Sequence, residues 1–153
     1  MALNGKTIFI TGGAGFIANK IISKYISDNK IIVYDNYHRD TLTGSPFNDH
    51  NNITIVKGDV LDYGKLVKSM AGSDIVIHAA ATKFVDLAEK YSMECVDVNV
   101  LGSQNIARVA IDQDVDTVIG ISTDKASPPV RNIYGLSKAL MEKMYCSLDE
   151  NSK

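Results

Sequence analysis

The chain has 153 residues, of which 45% are hydrophobic and 22% are charged, and its formal net charge at pH 7 is −2. This length suits a single domain with one core, and the composition is ordinary for a soluble globular protein. The charge balance provides no basic surface and no apolar run reaches the roughly 18 residues of a membrane span, so we expect no nucleic acid and no membrane as partners.

Apolar runs of strand length alternate with helical patterns, which predicts βαβ units around a parallel sheet. The strands are short apolar runs, in chain order residues 6–11, 31–35, 53–57, 74–78 and 115–121. Between them the sequence predicts helices at about residues 15–27, 62–71 and 92–113, and a last helix that begins near Asn132. The second strand lacks polar alternation, which indicates burial on both faces.

The expected fold class is α/β, a Rossmann-like, doubly wound parallel sheet in the order 3-2-1-4-5 with right-handed crossovers. Residues 1–153 then form one dinucleotide-binding domain. Such a domain normally has a sixth strand, so we expect a fold truncated before that strand, with the substrate domain absent from this chain. The fifth strand then forms an exposed edge, and we expect a homo-oligomer or another partner that covers it.

A glycine-rich turn follows the first strand and opens the first helix. Gly12 permits the tight turn, Gly15 lets the backbone approach a pyrophosphate, and the small Ala18 allows the helix to pack on the strand. Phe16 and Ile17 complete this part of the predicted cofactor site in the first turn of the helix. We expect a dinucleotide here, and a plain strand–helix connection is the alternative.

Asp35 ends the second strand, where a carboxylate accepts hydrogen bonds from ribose hydroxyls and repels a 2′-phosphate. The expected cofactor is therefore NAD, with Asn36 beside the ribose. His38 and Arg39 follow directly and could accommodate the 2′-phosphate of NADP, which stays the alternative cofactor.

Small and acidic residues follow the third and fourth strands. We expect the Asp59 carboxylate to accept the adenine amino group, with Val60 beside it, although Asp59 could instead cap the next helix. Ala79 and Ala80 are small enough to let the cofactor approach the backbone. His78 precedes them, and we predict that it is a structural histidine that satisfies local backbone groups.

Asn99, Gly102 and Ile106 share one face of the long helix predicted at residues 92–113. A glycine inside a helix costs roughly 1 kcal/mol relative to alanine, so Gly102 indicates close packing. Asn99 holds either a backbone group or water near the active site, or makes plain structural hydrogen bonds, and the sequence leaves both interpretations open.

Tyr134 and Lys138 lie four residues apart, which places both side chains on one face of the last helix. An ammonium beside a phenol favours the phenolate, so the tyrosine pKa falls from about 10 toward the range of a general base. Residues 122–125, Ser-Thr-Asp-Lys, stand at the end of the fifth strand, where open α/β sheets bind ligands. The pair therefore predicts removal of a hydroxyl proton beside a nicotinamide; an ordinary amphipathic helix is the alternative.

The two cysteines, Cys95 and Cys146, do not have the spacing of metal ligands, and no histidine lies near either of them. The N-terminal residues lack the long apolar core of a signal peptide. We therefore expect reduced thiols in a cytoplasmic protein without a metal site.

Over its whole length the chain resembles the extended short-chain dehydrogenase/reductase family, through TGGAGFIA, Asp35, GDV, HAAA, the Asn-Val-x-Gly-Ser-x-Asn helix and YGLSK. The resemblance implies that Tyr134 is the general base and that Lys138 assists it and binds the nicotinamide ribose. It also implies that Ser122 or Thr123 holds the sugar hydroxyl. Asp-Lys after this pair is similar to the inverting UDP-N-acetylglucosamine 4,6-dehydratases of polysaccharide biosynthesis, whose N-terminal half the chain matches.

The resemblance implies an NAD(P)-dependent dehydratase that oxidises a UDP-sugar transiently at C4, with Tyr134 removing the hydroxyl proton. Lys125, neutral through burial, then removes the C5 proton, and Asp124, protonated, donates to the leaving C6 oxygen. Lys83 contacts substrate or is a solvated surface lysine. A nucleotide-sugar 4-epimerase, which needs Tyr134 and Lys138 alone, and a non-catalytic NAD-binding fragment are the alternatives.

Overall fold

The computed structural model of the protein describes residues 3–38, 47 and 49–151, with side chains up to residue 148. Arg39, the alternative phosphate partner, and much of the predicted loop at 36–52 lie outside the described residues. Among the helices that are described, none combines the length and the apolar character that a membrane crossing requires.

The central element is one parallel sheet in the order β3-β2-β1-β4-β5, which confirms the predicted strand order. Its strands are β1 (Thr7–Thr11), β2 (Lys30–Asp35), β3 (Ile53–Lys57), β4 (Ile75–His78) and β5 (Thr117–Gly120). All four neighbouring pairs run parallel. The fold class is therefore the expected doubly wound α/β sheet.

The helices agree with the prediction in position but differ in detail. A π-helical turn, Asp97–Leu101, joins two of them where the sequence predicted one uninterrupted helix, and a short 3₁₀ turn, Asp124–Ala126, follows β5. The sequence pattern over Val85–Lys90 is too short to predict the helix that the structure has there. In chain order the helices are α1 (Phe16–Tyr25), α2 (Tyr63–Met70), α3 (Val85–Lys90), α4 (Ser92–Val96), α5 (Gly102–Asp112) and α6 (Ile133–Asn151).

Two apolar layers cover the faces of the sheet, because successive side chains of a strand point to opposite sides. Ile8 and Ile10 of β1 belong to the layer that includes Ile22 of α1. Phe9, between them, belongs to the other layer, which includes Ile106 of α5. Burial of β1 on both faces explains its continuous apolar sequence and holds the carboxyl end of the sheet rigid beneath the glycine turn.

β5 lies at one edge of the sheet, as the sequence predicted. Its residues alternate between exposed and half-buried, and the Ile119 side chain is 46% exposed. Within the described residues β5 pairs with β4 on one side only. The edge is therefore open to pairing or cover.

The close packing expected at Gly102 is confirmed. A Cβ atom there would lie 2.6 Å from Cγ2 of Val60, which follows β3. Asn105, one turn along α5, donates from Nδ2 to the Val60 carbonyl over 3.1 Å. Glycine and asparagine in this helix therefore bring α5 against the loop after β3.

We expect Gly102→Ala to lower the free energy of unfolding by about 1–2 kcal/mol, because the new methyl group would overlap Val60. The better helix propensity of alanine, worth about 1 kcal/mol, offsets only part of this cost. In a Val60→Ala background the overlapping methyl group is gone, so the same change should be neutral or stabilising. Urea unfolding of the single and double variants tests this, and a cost that persists in the Val60→Ala background would contradict the packing explanation.

Candidate active site

A cleft of about 490 Å³ runs along the carboxyl end of the sheet. Phe16 and Ile17 are exposed in the first turn of α1, beside the cleft residue Gly15. The other predicted cofactor residues that line the cleft come from the loops after β1, β2, β3 and β4: Gly12, Gly15, Asp35, Asn36, Asp59, Val60, Ala79 and Ala80. Four separate loops of the fold thus bring these eight residues to one cleft, whose lining does not include Lys138 or the predicted catalytic residues Thr123, Asp124, Lys125 and Tyr134.

The backbone of the glycine turn packs directly against the backbone of the loop after β4. Gly12 has a φ of 64°, and a Cβ atom there would lie 2.6 Å from the Ala80 nitrogen. The Gly15 amide donates to the Gly12 carbonyl over 2.9 Å and closes the turn. α1 then starts without a side-chain cap, which leaves its first backbone amides available to an anion.

Both carboxylate oxygens of Asp35 accept backbone hydrogen bonds. The Ala14 amide donates to Oδ2 over 3.0 Å, and the Tyr37 amide donates to Oδ1 over 2.8 Å. Asp35 thereby joins the glycine turn to the end of β2, a role that sequence reasoning missed. Each oxygen keeps a second lone pair that a ribose hydroxyl can use.

The end of β3 forms the floor of the cleft. Tyr34 lies in the core, donates from its hydroxyl to the Asp59 carbonyl over 2.8 Å, and has its pKa raised by burial to about 12. Asp62, whose side chain accepts from the Lys65 amide, is the N-cap of α2. The capping alternative for Asp59 is therefore wrong; its Oδ1 accepts from the Leu61 amide over 2.9 Å, and the residue lines the cleft.

His78 is fully buried at the end of β4. The Thr11 hydroxyl lies 2.6 Å from Nδ1 and the Ser103 hydroxyl 3.0 Å from Nε2. Ser103 donates to the Asn99 carbonyl, and Thr11 accepts from the Ala80 amide, so Nδ1 accepts and Nε2 carries the proton. His78 is therefore a buried structural histidine, but its partners are the side-chain hydroxyls of Thr11 and Ser103 and not the backbone groups that the sequence predicted.

Asn99 holds the cleft wall. Its Oδ1 accepts from the Thr82 amide over 2.8 Å, and its Nδ2 donates to the Thr82 carbonyl and the Ser137 hydroxyl over 3.0 Å each. Asn99 is fully buried in the π-helical turn, a feature that often marks functional sites. Asn99 therefore holds a backbone group, that of Thr82, as the first of the two interpretations expected. Its hydrogen bonds tie the loop after β4 to α6.

Lys138 is 2% exposed, although its side chain ends in an ammonium group. Its Nζ lies 3.5 Å from the sulfur of Met141, a weak acceptor. Burial lowers the pKa of Lys138 to about 8, against the opposing influence of Glu142 and Cys95. Tyr134 is half-buried one turn earlier on α6, so the predicted pair shares a helix face, and its catalytic role stays a prediction.

The segment after β5 differs from the expectation. Thr123 donates to the Asp124 carboxylate over 3.1 Å, and Lys125 pairs with the same oxygen over 3.3 Å. The side chains of Asp124 and Lys125 are 86% and 46% exposed, and the hydrogen bond from Lys125 is the main cause that lowers the pKa of Asp124. The burial expected of Lys125 is therefore not found in this chain, and the acid–base roles of Asp124 and Lys125 stay predictions.

Sequence reasoning missed two residues that hold the start of α6. Glu89 of α3 accepts from the Ile133 amide over 2.6 Å, and Asn132 accepts from the Gly135 amide over 2.7 Å. Asparagine ahead of a helical pattern is a recognisable capping signal. Glu89 lies far away in sequence, so no local pattern could have identified its contact beside Tyr134.

α3 and the residues flanking it supply a second wall of the cleft, which the sequence did not predict. The wall is apolar, with Phe84, Leu87 and Tyr91 each about half exposed on it. Lys83 also lines the cleft. The sequence left open whether this residue contacts substrate or is a solvated surface lysine. The cleft therefore combines backbone amides and carboxylates on one side with apolar side chains on the other.

The model of the polysaccharide biosynthesis protein family matches residues 8–153 of the chain. The UDP-glucose 4-epimerase of Rickettsia typhi is 39% identical over 145 residues, which cover 91% of this chain and 42% of the epimerase. The inverting UDP-N-acetylglucosamine 4,6-dehydratase of Campylobacter jejuni is 38% identical over 145 residues, which cover 93% of this chain and 43% of the dehydratase. The chain thus spans less than half the length of these curated relatives.

Solved structures share the fold. DesIV, a dTDP-glucose 4,6-dehydratase from Streptomyces venezuelae in complex with NAD, matches 89% of this chain with a TM-score of 0.80 and 26% identity. The match covers 49% of the DesIV chain. Epimerases and dehydratases of nucleotide sugars are therefore both similar to this protein.

The pH dependence of stability follows from His78. Burial is the main cause that lowers the His78 pKa to about 3, and the charge of Lys138 adds to it. Imidazole titrates near 6.5 in an unfolded chain, so only the unfolded state gains this proton as the pH falls from 6.5 towards 3. We expect the free energy of unfolding to be greatest above pH 6.5 and to fall by about 1.4 kcal/mol per pH unit below it.

Urea unfolding between about pH 7 and pH 4 measures this slope. The variant His78→Gln should be less stable at neutral pH, because Thr11 or Ser103 loses its partner, but its slope should be flatter. His38→Gln, at an exposed position, should keep the parent slope. Equal slopes in the parent and in His78→Gln would refute the assignment.

Proposed function

We propose that this chain, which belongs to the polysaccharide biosynthesis protein family, is the coenzyme-binding part of an NAD-dependent UDP-N-acetylhexosamine 4,6-dehydratase. The resemblance to the extended short-chain dehydrogenases/reductases is confirmed by the matched relatives. The observation that carries the proposal is the convergence of four strand-end loops on one cleft, with Lys138 buried in the helix that follows β5. Because the relatives are longer than this chain, its activity and its substrate are proposals.

The cleft fits a dinucleotide. A side chain at Gly12 would collide with the backbone at Ala80, so glycine allows the tight turn through which the backbone could approach a pyrophosphate. The uncapped start of α1 offers amides to the phosphates, and Asp35 and Asp59 offer acceptors to ribose and adenine. A bound nicotinamide would take a hydride from the sugar at C4 and return it later.

The residues on α6 would handle the proton of the oxidised hydroxyl. Tyr134 would accept the C4 hydroxyl proton, and Lys138 would favour the phenolate and donate to a ribose hydroxyl. A buried ammonium without a carboxylate bonded to it is costly, so a hydrogen-bonding ligand at Nζ would relieve an existing penalty. Thr123 would hold the sugar hydroxyl in place.

The charged pair after Thr123 favours dehydration over simple epimerisation. Elimination of water needs a base for the C5 proton and an acid for the C6 oxygen, and Asp124 and Lys125 are adjacent groups of suitable kind. A sugar bound over them would exclude solvent and favour transfer of the proton from lysine to aspartate. The rival activity, 4-epimerisation, is supported by the 39% identical epimerase and needs no such pair.

We expect the chain to bind NAD at least about tenfold more tightly than NADP, because the Asp35 carboxylate repels a 2′-phosphate. Isothermal titration calorimetry with both cofactors measures this ratio. Asp35→Asn should reduce the ratio of NAD affinity to NADP affinity, because the amide carries no charge and retains one acceptor oxygen. Equal affinity of the parent chain for both cofactors would remove the specificity role of Asp35.

Incubation with NAD and UDP-N-acetylglucosamine, followed by mass spectrometry, tests the reaction. Loss of one water molecule from the sugar nucleotide is the expected result. Tyr134→Phe should abolish turnover while NAD affinity stays nearly unchanged, because it removes only the hydroxyl group.

Each other outcome identifies an alternative. An unchanged mass with inverted C4 would establish the epimerase. NAD binding without any turnover would support the non-catalytic fragment. Turnover that survives Tyr134→Phe would remove the proton-transfer role of the phenol.

A further inference from the structure

We propose that Glu142 is a positioning residue, which anchors the segment of residues 122–125 along α6 and, one turn after Lys138, acts electrostatically on that ammonium. The contribution of Glu142 to catalysis rests on the proposed function, whereas the contacts of Glu142 are features of this chain itself. Glu142 lies one turn after Lys138 on the same helix face.

The chain after β5 folds back along α6 through three successive contacts. At the end of β5, a Cβ atom on Gly120 would lie 2.9 Å from the ring of Tyr145. Two residues later, the Ser122 hydroxyl donates to Oε1 of Glu142. At the start of the helix, Gly135 packs directly against a carbonyl of the 3₁₀ turn. The segment that carries Thr123 and the charged pair therefore runs antiparallel to α6.

These three contacts differ in how strongly they fix the position of the segment relative to α6. The two glycine contacts are close van der Waals approaches, which set the distance between segment and helix but tolerate some sliding. The hydrogen bond from Ser122 to Glu142 involves a charged acceptor, and such bonds are shorter, stronger and more directional than neutral ones. Glu142 therefore determines where Thr123 and Asp124 stand relative to Tyr134.

Glu142 also acts on Lys138. The titratable groups that bear on this ammonium are His78 from β4, the Cys95 thiol from α4 and Glu142 from α6 itself. Of the groups that raise the pKa of Lys138 against the effect of burial, Glu142 contributes more than Cys95. Without Glu142, the lysine would lose its proton at a lower pH.

The direct test is the titration of Lys138 in the cofactor-free chain, followed by the NMR shift of its ¹³C-labelled Cε. Glu142→Gln keeps an acceptor for Ser122 but removes the charge, so we expect the midpoint to fall by at least about half a pH unit. Glu142→Asp keeps the charge and should restore most of the midpoint. Asp28→Asn, which removes an exposed carboxylate before β2, is the matched control and should leave the midpoint unchanged.

The anchoring role has its own measurement. Ser122→Ala removes the hydrogen bond but leaves the Glu142 charge, so amide hydrogen exchange at residues 122–125 should become faster while the Lys138 midpoint changes little. An unchanged midpoint in Glu142→Gln, or unchanged exchange in Ser122→Ala, would overturn the proposal. Neither measurement needs a cofactor, so a chain that fails to bind NAD would refute the proposed function and leave this result intact.

In the presence of NAD, the same variant should change the pH profile of binding. Under the proposed function the Lys138 ammonium would donate to the cofactor, so affinity would fall as the pH rises through the Lys138 pKa. In Glu142→Gln this loss should begin at a lower pH than in the parent chain, and an unshifted profile would contradict the role of the carboxylate.

Discussion

The site depends on a chain of buried hydrogen bonds that begins at the Ala80 amide and ends at the Asn99 carbonyl. Between these ends lie Thr11, His78 and Ser103, so the network joins β1, β4 and α5 beneath the cleft. Each buried polar group in this network needs a hydrogen-bond partner, because an unpaired buried group destabilises the fold by about 1–3 kcal/mol. The backbones that border the cleft are thereby held in one arrangement.

Close approaches between backbones complete this arrangement. Gly12 meets the loop after β4, Gly102 meets Val60, and Gly135 meets the 3₁₀ turn after β5. Each contact leaves no room for a further side chain; Gly12 and Gly135 meet main-chain atoms, and Gly102 meets the side chain of Val60. The spacing between the segments around the cleft is therefore closely defined.

The residues proposed for catalysis differ in their exposure to solvent. Lys138 is buried, whereas the side chains of Asp124 and Lys125 are exposed. The relatives are more than twice as long as the region they share with this chain. A chemistry that requires neutral forms of an aspartate and a lysine needs solvent to be excluded from them, and in this chain nothing among the described residues does so.

Local sequence determined the strands, most helices and the residues predicted to bind a cofactor, because strand burial, helix periodicity and glycine turns depend on neighbouring residues. The strand order then followed from the rules for parallel sheets, so Gly12, Asp35, Asp59 and Ala80 could be assigned to one cleft in advance. Only the tertiary structure decided the partners of Asn99 and Glu142 and the exposure of Lys125. Those properties arise between segments distant in sequence, where burial and hydrogen bonding depend on how whole elements pack.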